Sequence, residues 1–460
     1  MRCRAVSPLV LRRFFSLAGL GLWLSAPPAC TPSQPSGETS PDLPRGSGGT
    51  GGSSAGAGQS GGGSGTAGSP GTETGGIGAS AGGAPGIDAA TGAGGAGAAD
   101  APPASGMPTP AGWWDAKWTK RSQITVSDAA LTEELTDFQI PVRLTAASID
   151  WKAARPDGAD LRFVGQDGSV LAHEIESWDA AGSTALVWLR LPHLGKTAIV
   201  VSLYHGNPGA TPLDDAASKA VWPVPYAGVW HLGGNAKDAT ASGFDGAAMV
   251  GGAFAEGQFG KGFTLVGAMR DHIQLKSDIK ILAGAAGCTF SAWIKPTKIE
   301  AGVNGMIIMT LGKWFNNNHN SYADFNVNAS GQMISHIDPG TNMAASGYAR
   351  ILSDPGFIKA DEWAWVTYVI DLASDEERFF KNGMLISTKK PPNGKFSAAA
   401  FIDMVSTRVV IGAEEDVVSH WYTGTMDELR IEKGLRPPAW IAAQYRAMTS
   451  AGFVTVVADK

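Results

Sequence analysis

Apolar and polar residues alternate in several short runs of this 460-residue chain. The clearest run is 138–144, where Phe138, Ile140, Val142 and Leu144 fall at every second position. A period of two is that of a half-buried β-strand. Similar runs, separated by Gly, Asp, Asn and Pro, lie at 124–126, 161–164, 186–191 and 199–204. Short strands with frequent turns predict a β-sandwich or barrel.

The alternation continues towards the C-terminus. Residues 290–294 repeat it, and Asn382-Gly383 stands between two apolar runs. This dipeptide favours the tight turn of a β-hairpin, because both residues tolerate a positive φ. A short helix is predicted at 439–448, directly after Pro437 and Pro438. The predicted fold class of the folded part is therefore all-β.

The alternating pattern begins at residue 113, and the segment before it has a different composition. Residues 31–112 are mainly Gly, Ser, Ala, Thr and Pro, and the whole chain contains 61 glycines. Such a segment has almost no apolar surface to bury, so it predicts a disordered linker with an average reach of roughly 50 Å. Residues 1–30 are typical of an export signal, because several arginines precede the apolar stretch 14–24, which is too short to span a bilayer.

Cys30 ends this signal after small residues and two prolines. The arrangement resembles a bacterial lipoprotein signal, in which the cysteine is acylated and becomes the new N-terminus. The alternative is an ordinary cleavage site with an incidental cysteine. We therefore expect an exported protein, either an outer-membrane or cell-surface lipoprotein anchored in the membrane through Cys30, or a secreted protein. Arg12-Arg13 leaves both the general and the twin-arginine export routes open.

Cysteine content and charge narrow the function further. Cys288 stands alone in the folded region, so no intramolecular disulfide is available there and the residue is expected to be a small buried hydrophobe. The net charge is -6 at pH 7, and Lys and Arg do not cluster beyond residue 13. A phosphate-binding surface needs such a cluster, so nucleic acid is not an expected partner.

A first group of residues resembles a known family. Trp114, Trp118 and Arg121 open the segment, and the run Tyr204-His205 followed by Gly-Asn-Pro closes it. In this order they resemble a bacterial extracytoplasmic family of domains of unknown function. The resemblance implies a β-sandwich domain over 113–215 that binds or assembles at the cell envelope.

A second group of runs resembles the laminin-G-like branch of the concanavalin A-like jelly rolls. The matching runs lie at 228–232, 238–246, 290–296, 363–371, 379–385, 409–413 and 424–431. The resemblance implies a second β-sandwich of jelly-roll type over 222–460, with a lectin-like role.

Catalytic patterns are weak by comparison. A glycosidase on a jelly roll needs two suitably placed carboxylates, and the nearest pattern is the run 174–179 with Glu174 and Glu176. Its spacing does not fit Glu-x-Asp-x-x-Glu, and it lies in the first domain, so we expect a solvent-facing strand. The histidines show no metal-ligand spacing such as His-Glu-x-x-His, and no nucleophile motif is found. The sequence therefore predicts a protein that is not an enzyme.

A structural calcium ion is the chemical hypothesis that remains. Asp238, Asp245 and Asp427 match positions near the ion in some laminin-G-like relatives, and Ca²⁺ takes oxygen ligands from such loops. The alternative is that Asp238 and Asp245 only form Asx-type turns around the neighbouring glycines.

Ligand contacts are predicted in two aromatic segments. Trp314, Asn316 and Asn317 lie in an amide-rich loop, and Trp421 and Tyr422 precede the closing strand. Aromatic faces together with amide groups suit sugar rings. The predicted function is a non-catalytic binding or adhesion protein that recognises a polysaccharide or glycoconjugate through the laminin-G-like domain. A structural protein that binds an envelope protein, and a glycoside hydrolase with an unrecognised active site, are the alternatives.

Overall fold

The computed structural model describes residues 112–276, 280–299, 305–312, 321–340, 349–401 and 409–459. The predicted export signal with Cys30, nearly all of the predicted linker and the loop with Trp314, Asn316 and Asn317 lie outside these residues. Within the described ranges, each helix is too short or too polar to cross a membrane.

The described elements are almost entirely strands. In chain order they are β1 (Lys120–Val126), β2 (Leu135–Leu144), β3 (Arg162–Val164), β4 (His173–Asp179), β5 (Thr184–Leu194), β6 (Ile199–His205), α1 (Asp215–Lys219), β7 (Tyr226–Trp230), β8 (Gly246–Val250), β9 (Ala253–Glu256), β10 (Lys261–Leu265), β11 (His272–Leu275), β12 (Gly287–Pro296), β13 (Met306–Gly312), β14 (Tyr322–Val327), β15 (Met333–Asp338), β16 (Ala349–Leu352), β17 (Ala364–Asp371), β18 (Glu376–Lys381), β19 (Met384–Lys389), β20 (Val409–Ile411), β21 (Gly424–Glu432), α2 (Pro438–Thr449) and β22 (Val454–Ala458). The predicted all-β class is confirmed.

The strands form antiparallel sheets arranged as two sandwiches. The first sandwich consists of sheet I, in the order β22-β1-β6-β3, and sheet II, in the order β2-β5-β4. The second consists of sheet III, in the order β19-β18-β17-β12-β21-β10-β9 with β7 beside β21, and sheet IV, in the order β16-β15-β14-β13-β20-β11-β8. One apolar core fills each sandwich, so each has the two-layer construction that burial of alternating strands requires.

The central strands of sheets II and III are buried on both faces, because a third apolar cluster joins the two sheets. In β5, Val187 lies in the core of the first sandwich, whereas its neighbours Leu186 and Trp188 lie in the third cluster. On the other side of this contact, Trp293 of β12 and Trp365 of β17 point out of the second sandwich. We call this contact between sheets II and III the junction. It explains why β5 and β12 are nearly continuous apolar runs, as expected for strands covered on both sides.

The C-terminal segment returns to the first sandwich. β22 pairs with β1, with Val454 opposite Val126, and α2 packs Trp440, Ala443 and Ala447 into the core of the first sandwich. The predicted extent of the second domain, 222–460, is corrected accordingly. The reason is that β1 would otherwise leave an open sheet edge, which β22 covers.

Several local predictions are confirmed. α2 begins at Pro438, and Asn382 and Gly383 take φ values of 52° and 79° between β18 and β19. Cys288 is fully buried in the second core, and burial raises the pKa of its thiol. It therefore behaves as an apolar core residue.

Candidate functional site

Charged side chains lie at the centre of the otherwise aromatic junction. Their shared property is that they are largely removed from solvent and contact one another across the two sandwiches. We call them the junction cluster: Glu174, Glu176, His231, Asp427, Glu428 and Arg430. Burying charges is costly unless they are paired, so this arrangement needs an explanation.

The two glutamates come from an edge strand of the first sandwich. β4 pairs with β5, and Glu174 stands opposite Trp188. A register shift between Ile175 and Ser177 follows Glu174 directly. Glu174 and Glu176 both lie close to the imidazole of His231, so both side chains are on the same face of β4 despite this shift. That face is the one against the second sandwich. We expected these carboxylates to face solvent; the structure corrects this, because docking of sheet III covers the strand.

His231 and Glu428 come from the second sandwich. His231 directly follows β7, and Glu428 lies in the neighbouring strand β21, where the register with β12 shifts. Glu428 has a positive φ of 54°, a conformation that is uncommon for residues other than glycine. A β-bulge of this kind re-aims a side chain. As a result, Asp427 and Glu428 both reach the junction although they are adjacent in sequence.

His231 is the centre of the cluster. Its Nδ1 lies 2.7 Å from Glu428 Oε1 and 3.7 Å from Glu176 Oε2, and its Nε2 lies 3.3 Å from Glu174 Oε2. One imidazole thus contacts three carboxylates, two from the first sandwich and one from the second.

Indole and guanidinium groups hold the carboxylates in place. Trp222 Nε1 donates to Glu174 Oε2 at 2.6 Å, and Trp188 Nε1 donates to Glu176 Oε2 at 2.8 Å. Arg430 Nη2 donates to Glu428 Oε2 at 2.7 Å. The guanidinium also lies over the rings of Trp188 and Trp222, 4.6 and 4.9 Å from their centroids. These contacts fix the side chains before any ligand arrives, which is the condition for a preorganised site.

The pKa values in the cluster are shifted in opposite directions. Burial, with the charge of Glu428, raises the pKa of Glu176 to about 8. Burial together with Glu428 also raises the pKa of Asp427 well above its usual value. Burial alone would raise the pKa of Glu428, but the positive charges of His231 and Arg430 outweigh burial, so the pKa is lowered. Neighbouring carboxylates whose pKa values are shifted apart are typical of functional sites. Structural networks of ion pairs also produce such shifts.

The pKa of His231 is raised well above its ordinary value. Burial alone would lower this pKa, but the negative charges of Glu428, Glu174 and Glu176 raise it by more than burial lowers it. The imidazole is therefore protonated near neutral pH and serves as a buried cation.

A cleft opens from the cluster to solvent. It has a volume of about 350 Å³, and Glu174, Glu176 and His231 form its floor. Its walls come from α1 and from the loop after His231: Asp215, Ser218, Lys219, Gly233, Asn235, Lys237, Asp238, Ala239 and Asp245. We call it the junction cleft. Gly233 keeps it open, because a Cβ there would lie 2.8 Å from Glu176 Oε1.

A second cleft of about 430 Å³ lies on the other side of α1. It shares Asp215 and Lys219 with the junction cleft but is more apolar, with Trp222, Pro223 and Val224 in its lining. α1 is thus a narrow ridge between a polar and an apolar cleft.

The predicted calcium ligands do not form a joint site. Asp238 accepts hydrogen bonds from the backbone N–H groups of Val229, Thr240 and Phe244, and its own N–H donates to Asp245. Its oxygens are therefore used in the turn, which agrees with the Asx-turn alternative. Among the described residues, the three His, Cys, Asp or Glu side chains whose ligand atoms lie within 4.8 Å of one another are Glu176, His231 and Glu428. Asp238, Asp245 and Asp427 are not among these three side chains, and calcium binding stays a prediction.

The predicted ligand residues lie away from the cleft. Trp314, Asn316 and Asn317 fall outside the described residues. Tyr422 is fully buried in the core of the second sandwich, so its predicted contact with a ligand is corrected. Trp421 is half-buried, with its ring 5.6 Å from that of His272.

Sequence reasoning missed most of the junction cluster. One signal was present: Asp427, Glu428 and Arg430 interrupt a run with Met426, Leu429 and Ile431, which are core residues. Charged side chains in a strand that is otherwise buried indicate an internal polar network. The sequence gives no sign of which surface covers them.

Comparisons with known families agree with the predicted order of domains. Residues 157–221 match the family described as a domain of unknown function (DUF2341). Residues 267–442 match the concanavalin A-like lectin/glucanases superfamily. The predicted domain order is confirmed. The concanavalin A-like segment supplies Glu428, whereas the DUF2341 segment supplies Glu174 and Glu176.

Solved structures resemble the chain only weakly. Domain 4 of AbnA, a GH43 extracellular arabinanase from Geobacillus stearothermophilus, in complex with arabinotriose, is 16% identical with a TM-score of 0.35, over 47% of this chain and 96% of that one. The Ruminococcus gnavus IT-sialidase CBM40 bound to α2,3 sialyllactose is 15% identical with a TM-score of 0.29, over 43% of this chain and 100% of that one. The binding domain of Botulinum neurotoxin DC in complex with SialylT is 14% identical with a TM-score of 0.34, over 48% of this chain and 51% of that one. Similarity at this level says nothing about ligand or activity. No curated protein sequence matches the chain.

Proposed function

We propose that the two sandwiches form one non-catalytic carbohydrate-binding unit of an exported protein, and that the glycan occupies the junction cleft. The observation that carries the proposal is this polar cleft of about 350 Å³, which is built by both sandwiches. Its volume lies in the range of roughly 300–1,000 Å³ typical of small-molecule sites. The match of residues 267–442 to the concanavalin A-like lectin/glucanases superfamily supports the same function.

The lining of the cleft suits a ligand rich in hydroxyl groups. Asp215, Asn235 and Lys237 are exposed on its walls, and together they offer both donors and acceptors. A sugar presents hydroxyl groups at its edge and C–H groups on its face. The polar cleft fits the hydroxyl-bearing edge. The apolar cleft across α1 contains Trp222 and Val224. It fits the C–H face of a further sugar when the ligand is longer than one sugar.

The direct test is a glycan array with the full chain and a double variant, Asn235→Ala with Lys237→Ala. Both side chains are exposed, so the variant should fold normally. Each lost hydrogen bond costs about 0.5–1.5 kcal/mol, so the loss of two should weaken the affinity for every bound glycan at least about fivefold. Lys359→Ala is the matched control, because Lys359 is an exposed lysine paired with Glu362 and is not part of the lining of the cleft.

Two results would reject this proposal. One is an array without any bound glycan, which together with capture of a defined envelope protein would favour the structural alternative. The other is glycan binding that the double variant leaves unchanged, which would move the site away from the cleft.

A second candidate function is glycoside hydrolysis in the same cleft. Glu174 and Glu176 lie side by side on its floor, and Glu176 keeps a proton near neutral pH, as a general acid requires. Release of reducing sugar by the wild-type chain that Glu176→Gln abolishes would favour the hydrolase over the binding protein.

The proposed location outside the inner membrane rests on the N-terminal sequence. Mass spectrometry of the N-terminal peptide from the mature protein should show an acylated Cys30 if the chain is a lipoprotein. Cys30→Ser should then release the protein from the membrane fraction. An unmodified N-terminus in wild-type protein would favour secretion.

A further inference from the structure

We propose that Glu176, His231 and Glu428 bind one divalent transition-metal ion, for which Zn²⁺ is the probe, at the floor of the junction cleft. This inference goes beyond glycan binding and does not depend on it. The three side chains offer one nitrogen and two carboxylate oxygens that all lie within 4.8 Å of one another. They come from three separated segments, β4, the residue after β7, and β21, so only the folded and docked chain brings them together.

The ligand types and distances suit such an ion. Imidazole nitrogen and carboxylate oxygen both bind Zn²⁺ at about 2.0–2.2 Å, which places ligand atoms about 3.3 Å apart in a tetrahedral site. The distances from His231 Nδ1 to the oxygens of Glu428 and Glu176, 2.7 and 3.7 Å, bracket this value. The ion takes the place of the proton on His231 Nδ1 and of the proton on the Glu176 carboxyl group, and both protons pass to solvent. Ca²⁺ prefers a site made only of oxygen, so it should bind much more weakly.

The groups around the three ligands match the outer shell of known metal sites. Metal-binding histidines usually donate their second ring N–H to a carboxylate, and Glu174 Oε2 lies 3.3 Å from His231 Nε2. The ligating carboxylates are also held, since Trp188 Nε1 donates to Glu176 and Arg430 Nη2 donates to Glu428. Each ligand therefore has a partner that fixes its orientation.

Asp427 supplies a second, independent observation. It is fully buried, and its Oδ1 has no hydrogen-bond partner, while Oδ2 accepts from the Phe259 N–H at 2.7 Å. It lies close enough to Glu428, Glu176 and His231 to interact with their charges. A buried carboxylate oxygen without a partner is costly. A dication in the cluster would offset this cost and the crowding of four acidic side chains around one arginine.

The site also has an entry path. Glu176 and His231 line the junction cleft, whereas Glu428 is fully buried behind them. The ion would therefore reach its ligands from the cleft, and the side facing the cleft is open to water or to a ligand hydroxyl. Because Glu176 belongs to the first sandwich and the other ligands to the second, the bound ion would also tie the sandwiches together.

The test is titration of the full chain, without a histidine tag, with Zn²⁺ in a calorimeter and with Co²⁺ in an absorption spectrometer. We expect one saturable site and a rise in Tm on adding Zn²⁺. Glu176→Gln, which preserves side-chain shape, and His231→Gln should each weaken binding at least 100-fold. Glu174→Gln should weaken it about 10- to 100-fold, as loss of an outer-shell partner does. Circular dichroism shows which variants are folded.

His420→Gln is the matched control. His420 also pairs with a carboxylate, at 2.9 Å from Glu414 Oε2, but it is half-buried and outside the junction, so its loss should leave the affinity unchanged. The proposal is overturned if wild-type chain shows no saturable site, or if folded Glu176→Gln binds Zn²⁺ as wild type does. It is equally overturned if His420→Gln removes the site. Glycan binding without Zn²⁺ binding would contradict this inference alone, and the reverse result would contradict only the proposed function.

Discussion

The second sandwich buries two histidines against carboxylates, one on each of its sheets, and the two clusters are built differently. His336 lies on β15 directly opposite Asp324 of β14, with Nδ1 2.8 Å from Asp324 Oδ1. His231 lies on the sheet III side and contacts carboxylates from both sandwiches. The first pair follows from the register of one hairpin, whereas the second exists only after two domains dock.

The difference also concerns what remains when the histidine is removed. Asp324 additionally accepts hydrogen bonds from Tyr322 Oη, Asn326 Nδ2 and the backbone N–H of His336. In the junction cluster Glu174, Glu176 and Glu428 each keep a single indole or guanidinium donor. The local pair is thus robust, and the docked cluster depends on every cation it contains.

The largest effect is expected for Arg430→Ala. Arg430 is 1% exposed and is bonded to the fully buried Glu428, so its removal leaves a buried carboxylate without its guanidinium partner. Breaking a buried pair in this way costs about 3–5 kcal/mol. Urea unfolding should therefore show a loss of this size in the free energy of unfolding. Lys389→Ala, which breaks the exposed pair with Asp354, should cost less than about 1 kcal/mol. Equal losses would show that the junction does not depend on this ion pair.

The two histidines themselves are the next comparison. We expect His231→Ala to lower the free energy of unfolding by about 2 kcal/mol more than His336→Ala, since Asp324 retains several donors and the junction carboxylates do not. Chemical denaturation of both variants at the same pH measures the difference. If His336→Ala proves the more destabilising, the distinction between local and docked clusters is wrong.

The effect of pH is the smallest of the three when it is expressed per pH unit. The pKa of Glu176 is raised to about 8, mainly by burial, so between roughly pH 5 and 8 the folded state holds a proton that the unfolded state has lost. Stability should therefore fall as pH rises through this window, by up to about 1.4 kcal/mol per pH unit for one proton. Glu176→Gln cannot titrate and should remove this part of the slope.

Glu377 provides the matching case inside the second sandwich. Burial raises its pKa to about 8 as well, and Ser335 Oγ donates to it at 2.6 Å. Glu377→Gln should flatten the pH dependence by a similar amount without affecting Zn²⁺ binding. A pH slope that neither substitution alters would show that these groups do not hold their protons in the folded protein.

The same contrast separates what the sequence could predict from what it could not. The alternation in β2, the Asn382-Gly383 turn and the helix after Pro437 are encoded within a few residues, and all were predicted. The partner of β22 is not local, because Val454–Ala458 alternates like any edge strand and its partner β1 stands near the other end of the folded chain. The face of β4 that carries Glu174 and Glu176 likewise depends on sheet III, which no short window contains.

The pairing of β1 with β22 has a consequence for the order of events during synthesis. Sheet I cannot be completed until residues 454–458 have been made, so the first sandwich to emerge should be the last to close. A chain cut shortly after α2 would leave the outer edge of β1 bare, with backbone groups ready to pair with another molecule. Proteolytic nicking at this end should therefore promote aggregation of a protein whose lectin-like portion is still intact.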